Sequence, residues 1–258
     1  MINIKELTKN YDIDTKHYKN IYTEYLQYLI LKKIFNNDFG FEIYLAGDFY
    51  NRIKFKIPRF SNFIDLISDK MPKKRGNQIS DFILQSLELE GYEVNLTQKD
   101  SQAIFKIKTE NLELYEDEDL EKYPPIAIYI NYFNTHYFSG NVTFESSNIN
   151  QFDVCTRINT ICPQIAFSLL AKKIIKLNKM SLVELFDLYY FNKLNDSIQP
   201  TFFNMALKGK ISEILYKIRP KNKKPKLNKD LTTFLLDKPN KKYDDMINDM
   251  SWINYINN

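Results

Sequence analysis

Two cysteines and two histidines in 258 residues leave little with which to staple a fold or hold zinc. Cys155 and Cys162 supply neither a disulfide framework nor a zinc-ligand spacing, and His17 and His136 are too scattered to complete one. Glycine and proline are sparse, at six and nine, which argues against a fibrous repeat or extended disorder. No segment approaches the roughly 20 apolar residues of a membrane-spanning helix. The opening MINIKELTKN is polar and lacks the apolar core of a secretory signal. These absences predict a protein of a reducing, cytoplasmic compartment with no membrane partner.

What is present is a chain 44% hydrophobic and 15% aromatic, long enough for one large or two small domains. The formal charge of +4 is compatible with nucleic-acid contact without requiring it. It is unevenly placed. Glu110 to Glu121 carries seven acids and no base, and Lys217 to Lys229 carries seven bases and no acid. Either run can be a solvated loop. The basic one, with Lys221, Lys223, Lys224 and Lys226, is also placed to meet a phosphate backbone or an acidic partner.

Apolar spacing predicts a helix over 16–36, a strand over 41–45, and a helix opening at Gly47 and ending before Pro58. A strand follows at 63–67. Ser80 reads as the cap of a helix over 81–90, with Phe82, Ile83 and Leu87 as its stripe and Gly91 as its stop. Segments 92–96 and 103–108 form a hairpin through QKDS, and IAIYINYF at 126–133 reads as an interior strand. From about Asn159 only helices are expected, at 163–178, 181–193, 201–208, 210–218, 229–236 and 241–255. The order predicts an α+β sheet domain over 1–159 and a helical domain over 160–258.

The stretch AGDFYNRIKFKIPRFSNFIDLIS, Ala46 to Ser68, has the layout of a phosphate-handling site. A glycine-led turn at a helix N-terminus receives phosphates through backbone N–H groups. Gly47 and Asp48 stand there, and Arg59 and Ser61 offer further donors. Nucleotidyl transfer also needs acids that hold magnesium, and two acids at i and i+2 on a strand share one face. Asp65 is the acid on this strand. Two residues before it stands Phe63, which cannot bind magnesium.

These residues resemble the abortive-infection AbiEii/AbiGii-type nucleotidyltransferase toxins, of the polymerase-beta-like nucleotidyltransferase fold. Where that family shows F-K-G-G-T-A-L and then R-F-S-E-D-I-D-L, this chain has Y-L-A-G-D-F-Y at 44–50 and R-F-S-N-F-I-D-L at 59–66. The family's A-E-K helix and R-D-L-Y-D-L-Y helix are similar to Leu170-Ala171-Lys172 and Val183 to Tyr189. There Lys172, Asp187, Leu188 and Tyr189 match. The resemblance spans about residues 4–195. It implies a nucleotidyltransferase-like mixed sheet flanked by helices, followed by a C-terminal helical domain. It implies a setting in phage defence, a toxin–antitoxin pair or a mobile element. It also implies Asp65 and Lys172 as catalytic candidates and Mg2+ as the metal if the protein is active. Possible partners are an NTP, tRNA or another RNA, and an antitoxin or defence subunit.

The departures bear on activity. Ala46 replaces the first glycine and Asp48 the threonine. Asn62-Phe63 replaces the acidic pair, Tyr129 aligns with the third carboxylate, and Ala171 replaces the glutamate before the lysine. Each survivor has a plainer reading. Asp65 caps a turn or pairs with Arg59, Asp48 serves the helix dipole, and Lys172 lies on a solvated face. Asp187 makes a buried hydrogen bond, and Phe63 and Tyr129 are core. Three functions stay open: a pseudo-enzyme that binds a nucleotide, RNA or protein; a divergent transferase rebuilt around Asp48, Asp65 and Asp69 or Asp153; or a nucleic-acid binder working through the basic run.

Overall fold

The computed structural model describes residues 18–57, 59–69, 71–108, 126–133, 144–152, 154–177 and 182–193. The helices expected beyond residue 200, both charge runs and Asp153 lie outside these residues. Helix α1 (Tyr18–Phe35) forms where the apolar periodicity places it. Ile21, Tyr25, Leu26, Ile30 and Ile34 are all buried. A helix this apolar around its circumference is stable only when enclosed.

After a 3-10 turn (Asp38–Glu42) comes strand β1 (Ile43–Ala46). The predicted strand start at Phe41 shifts by two residues. Phe41 is 75% exposed, and pairing begins where Ile43 and Leu45 reach the core. Helix α2 (Gly47–Phe55) and strand β2 (Phe63–Asp69) follow as expected.

Helix α3 (Lys73–Leu89) corrects a second expectation. It starts about two turns before Ser80, which is an interior residue and not a cap. The buried stripe runs Gly76, Ile79, Ser80, Ile83, Leu87, so its first part is made of small residues that leave no apolar signal. Ser80 Oγ meets the Tyr132 hydroxyl at 2.5 Å, and that hydroxyl donates to the Gly76 carbonyl at 2.9 Å. Glycine is needed at 76 because a Cβ would stand 2.9 Å from the Tyr132 ring. Phe82 leaves the stripe, is 43% exposed, and packs edge-on against Phe39. Gly91 ends the helix as predicted, at φ +85°, donating its N–H to Glu88.

Strands β3 (Glu93–Lys99) and β4 (Gln102–Lys108) form the expected hairpin. The ladder reaches Lys99 opposite Gln102, so the turn is only Asp100-Ser101. Strand β5 (Ile126–Phe133) is interior. Two further strands, β6 (Phe144–Gln151) and β7 (Val154–Ile161), stand where no strand is predicted. On β7 the buried positions alternate through threonines as well as aliphatics, Val154, Thr156, Ile158 and Thr160, which hides the period-2 signal. The sheet order is β3-β4-β5-β2-β1-β7-β6. Pairs β2–β5 and β1–β7 are parallel and the rest antiparallel, a mixed sheet.

One face of this sheet is dry. Ile64, Leu66, Phe105, Ile128, Ile130 and Ile158 lie on it fully buried, with α1 packed against β7 and α3 against β3. Each such side chain contributes about 1.5–3 kcal/mol on burial. The other face carries the candidate site.

The chain divides into two compact units, one within Met1–Tyr50 and Phe60–Ile161, the other within Asn51–Arg59 and Cys162–Asn258. In the second unit, helices α4 (Pro163–Leu177) and α5 (Leu182–Lys193) match the predicted 163–178 and 181–193. Phe191 there packs edge-on against both Phe55 and Phe167.

Candidate functional site

The turn from β1 into α2 is built around Gly47. Its φ of +66° lies in the left-handed region, where an L side chain is strained. Space makes the same demand. A Cβ on Gly47 would stand 2.0 Å from Asp65 Oδ2 and 2.8 Å from Asp65 Cβ and Cγ. The strand register explains the approach, because Ala46 is directly opposite Asp65 on β2. The turn and the acid are thus fitted to each other. Asp48 follows in the first turn of α2, beside the positive end of that helix dipole.

Residues 63 and 65 share the second face of β2, and Tyr129 of β5 is the register partner of Asp65. Phe63 and Tyr129 are half-buried, so neither is the expected core residue. Their rings meet edge to face, with centroids 5.6 Å apart at 90°. Asp65 therefore has an aromatic pair where a metal centre would place its companion carboxylates. Among the described residues, no three of His, Cys, Asp and Glu come together as a metal-binding group. A two-magnesium site needs several carboxylates converging on bridged ions, and Phe63, Asp65 and Tyr129 supply one between them.

Ser61 holds the entry to β2. Its hydroxyl donates to the Phe63 carbonyl at 2.7 Å, and its own carbonyl accepts from Gln27 Nε2 of α1 at 2.9 Å. With 3% exposure, Ser61 acts on the backbone of the strand.

Arg59 belongs to the second unit. Its Nε donates to Asp187 Oδ1 at 2.7 Å and its Nη2 to Asp187 Oδ2 at 2.5 Å. Asn51 Nδ2 adds a third bond to Oδ2 at 3.1 Å. Arg59 and Asp187 are 3% and 0% exposed. This is a bidentate, charge-assisted pair in a dry setting, held by an amide. It accords with the buried hydrogen bond expected of Asp187, and it engages the guanidinium proposed for phosphate. Asn51 carries no sequence signal. It is an amide on a short helix, and only the fold reveals its partner.

Lys172 falls on α4 and Asp69 ends β2. Lys221, Lys223, Lys224 and Lys226 lie outside the described residues. No described helix is long and apolar enough to cross a membrane.

In sequence the chain matches no protein-family model and no curated protein. In structure it is similar to a candidate nucleotidyltransferase from H. pylori, at 14% identity over 92% of each chain, with a TM-score of 0.53. It is also similar to MenT4, a nucleotidyltransferase toxin from Mycobacterium tuberculosis H37Rv, at 10% identity over 100% of this chain and 88% of that one, with a TM-score of 0.50. Identities this low speak to architecture alone. The mixed seven-stranded sheet with its flanking helices is a nucleotidyltransferase fold.

Proposed function

We propose that this protein is a toxin-type member of the nucleotidyltransferase fold, of phage-defence, toxin–antitoxin or mobile-element character, that has given up nucleotidyl transfer and acts as a binding module. Its ligand is a nucleotide, an RNA or a protein partner such as an antitoxin. The toxin setting is supported by the likeness to MenT4. The observation that carries the loss of transfer is the Phe63–Tyr129 ring pair on the face of Asp65. Asp65 beside two rings, with no group of three metal-binding side chains among the described residues, holds magnesium poorly. Losing metal stabilisation of the transferring phosphoryl group costs several kcal/mol, and each ~1.4 kcal/mol is tenfold in rate.

The test is label transfer. The full chain is incubated with each of four α-labelled nucleoside triphosphates, magnesium or manganese, and total tRNA or the protein itself as acceptor. The expected result is no label above background. Transfer that disappears in Asp65→Asn, which keeps the shape of the side chain, would sink the non-catalytic reading and establish a divergent transferase.

A further inference from the structure

The sheet of the first unit has one dry face, and the opposite face is polar and aromatic along β3, β4 and β5, while Ile67 of β2 is buried on it. On that face Lys99 ends β3, Gln102 and Lys106 lie on β4, and Tyr129 and Asn131 lie on β5. Phe63 completes it on β2. The register sets these in rows. Lys106, Ala127 and Phe63 form one, Ile104, Tyr129 and Asp65 the next, and Gln102, Asn131 and Ile67 the third. Neighbouring strands are about 4.8 Å apart and alternate residues about 6.8 Å, so Lys106 stands roughly 10 Å from Phe63. The flexible four-carbon stem of a lysine closes part of that span toward a phosphate carried by a stacked base.

Charge and hydrogen bonding select the occupant. Lys99 and Lys106 are exposed and make no ion pair among the described residues. Lys108 and Glu93 neutralise each other at the edge. Gln102 Nε2 donates to Asn131 Oδ1 at 2.7 Å, which leaves amide groups of both for a ligand. Half-buried rings beside exposed ammonium groups and fixed amides fit planar bases on an anionic strand. The amides also fit ribose 2′-hydroxyls, by which a protein distinguishes RNA from DNA.

We propose that the β3–β4–β5–β2 face is a binding platform for single-stranded RNA, with Tyr129 and Phe63 as stacking groups and Lys99 and Lys106 as phosphate contacts. This rests on the non-catalytic reading of the same face, because a ring that stacks on a base occupies the position of a metal ligand.

The experiment is fluorescence anisotropy of the full chain with a labelled 12-nucleotide RNA of mixed sequence, over 25–200 mM salt, with the same sequence as DNA in parallel. Tyr129→Ala should weaken RNA binding roughly 5- to 150-fold, the range for loss of one stacked base. Tyr129→Phe should retain it. Lys99→Glu with Lys106→Glu, both on exposed positions, should lower the magnitude of the log–log salt slope by about 1.4, from ~0.7 per phosphate contact. Lys74→Glu, an exposed lysine at the start of α3, should change neither reading. Absence of RNA binding at 25 mM salt, or binding indifferent to the Tyr129 and lysine changes, overturns the platform. So does DNA binding as tight as RNA binding. Loss of binding on Lys-to-Glu changes at 221–226, with the sheet variants intact, also overturns it and moves the site to the basic run. The two readings fail separately. Label transfer with sheet-mapped RNA binding removes only the non-catalytic reading, and no transfer with no RNA binding removes only the platform.

Discussion

Replacing Gly47 by alanine should destabilise the first unit by roughly 2–5 kcal/mol. The left-handed backbone at φ +66° contributes about 1–2 kcal/mol of that, the cost of placing an L residue in the left-handed region. The new methyl contributes another ~1–3 kcal/mol, the usual penalty for overpacking, because it would lie 2.0 Å from Asp65 Oδ2. Against the ~5–15 kcal/mol that holds a typical domain folded, this is a large fraction. Urea denaturation followed by circular dichroism reads it, with an expected midpoint shift of about 1–2 M at an m of ~2–3 kcal/mol/M. The decisive measurement is the same change in an Asp65→Ala background. Truncating Asp65 removes Oδ2 and Cγ from the clash and leaves Cβ, so the cost of Gly47→Ala should fall by at least ~1 kcal/mol. An equal cost in both backgrounds would falsify the mutual fit of turn and acid and leave only the backbone term.

In the second unit, Asp187→Ala strands a guanidinium that is 3% exposed and should cost about 3–5 kcal/mol, whereas Arg59→Met with Asp187→Leu should cost much less. Chemical denaturation decides it, and a double variant as unstable as the single one refutes the account. Tyr132→Phe removes the hydroxyl that ties Ser80 to the Gly76 carbonyl and should cost about 1–2 kcal/mol. Burial raises the Tyr132 phenol above its ordinary 10.0. Its contribution is therefore complete below pH 10 and lost as pH climbs through the higher folded value, so Tyr132→Phe should flatten the alkaline limb of a stability–pH curve. The Arg75 hydrogen bond holds the Glu42 carboxyl below its ordinary 4.5. That contribution is present above 4.5 and lost as pH falls further, and Glu42→Gln should flatten the acid limb slightly, less so in high salt.

The first half of the fold is legible where side-chain chemistry and position agree. Helix α1, the Gly47 turn, β2, the β3–β4 hairpin and β5 all announce themselves through apolar spacing or a glycine. The misreadings share a cause. Ser80, Thr156 and Thr160 are buried polar residues, and a rule that equates buried with apolar places them outside. Ser80 then looks like a cap, and β6 and β7 vanish. IAIYINYF is interior as expected, yet its two faces differ. It reads as apolar nearly throughout, yet Ile126, Ile128 and Ile130 turn one way while Tyr129 and Asn131 turn the other. At the site, the sequence marks Gly47, Asp65, Phe63 and Tyr129 without showing that two of them collide and two of them touch. Those are relations across strands, set by register, and a single strand's sequence does not contain them.

The same relations alter what the surviving family-like residues mean. Gly47 and Asp65 hold their places and are fitted to each other. Arg59 and Asp187 hold theirs and are partners in a buried ion pair. Ser61 holds its place and braces the start of β2 through Phe63. Each has a packing or hydrogen-bonding reason to persist that is independent of catalysis. On the family resemblance, Phe63 and Tyr129 stand at positions whose acids would have had only a metal to serve, and there the chemistry differs. On the proposed reading this is the pattern a retired centre should leave, with structural duties intact and purely catalytic ones gone. It follows that the persistence of Asp65 carries no weight for activity. Activity is better probed by returning carboxylates at positions 63 and 129, through Phe63→Asp with Tyr129→Asp, and measuring manganese binding by electron paramagnetic resonance. Tighter manganese binding in that variant than in the parent chain is the expected outcome. Equal binding in both would mean that the two rings do not stand where the ligands belong.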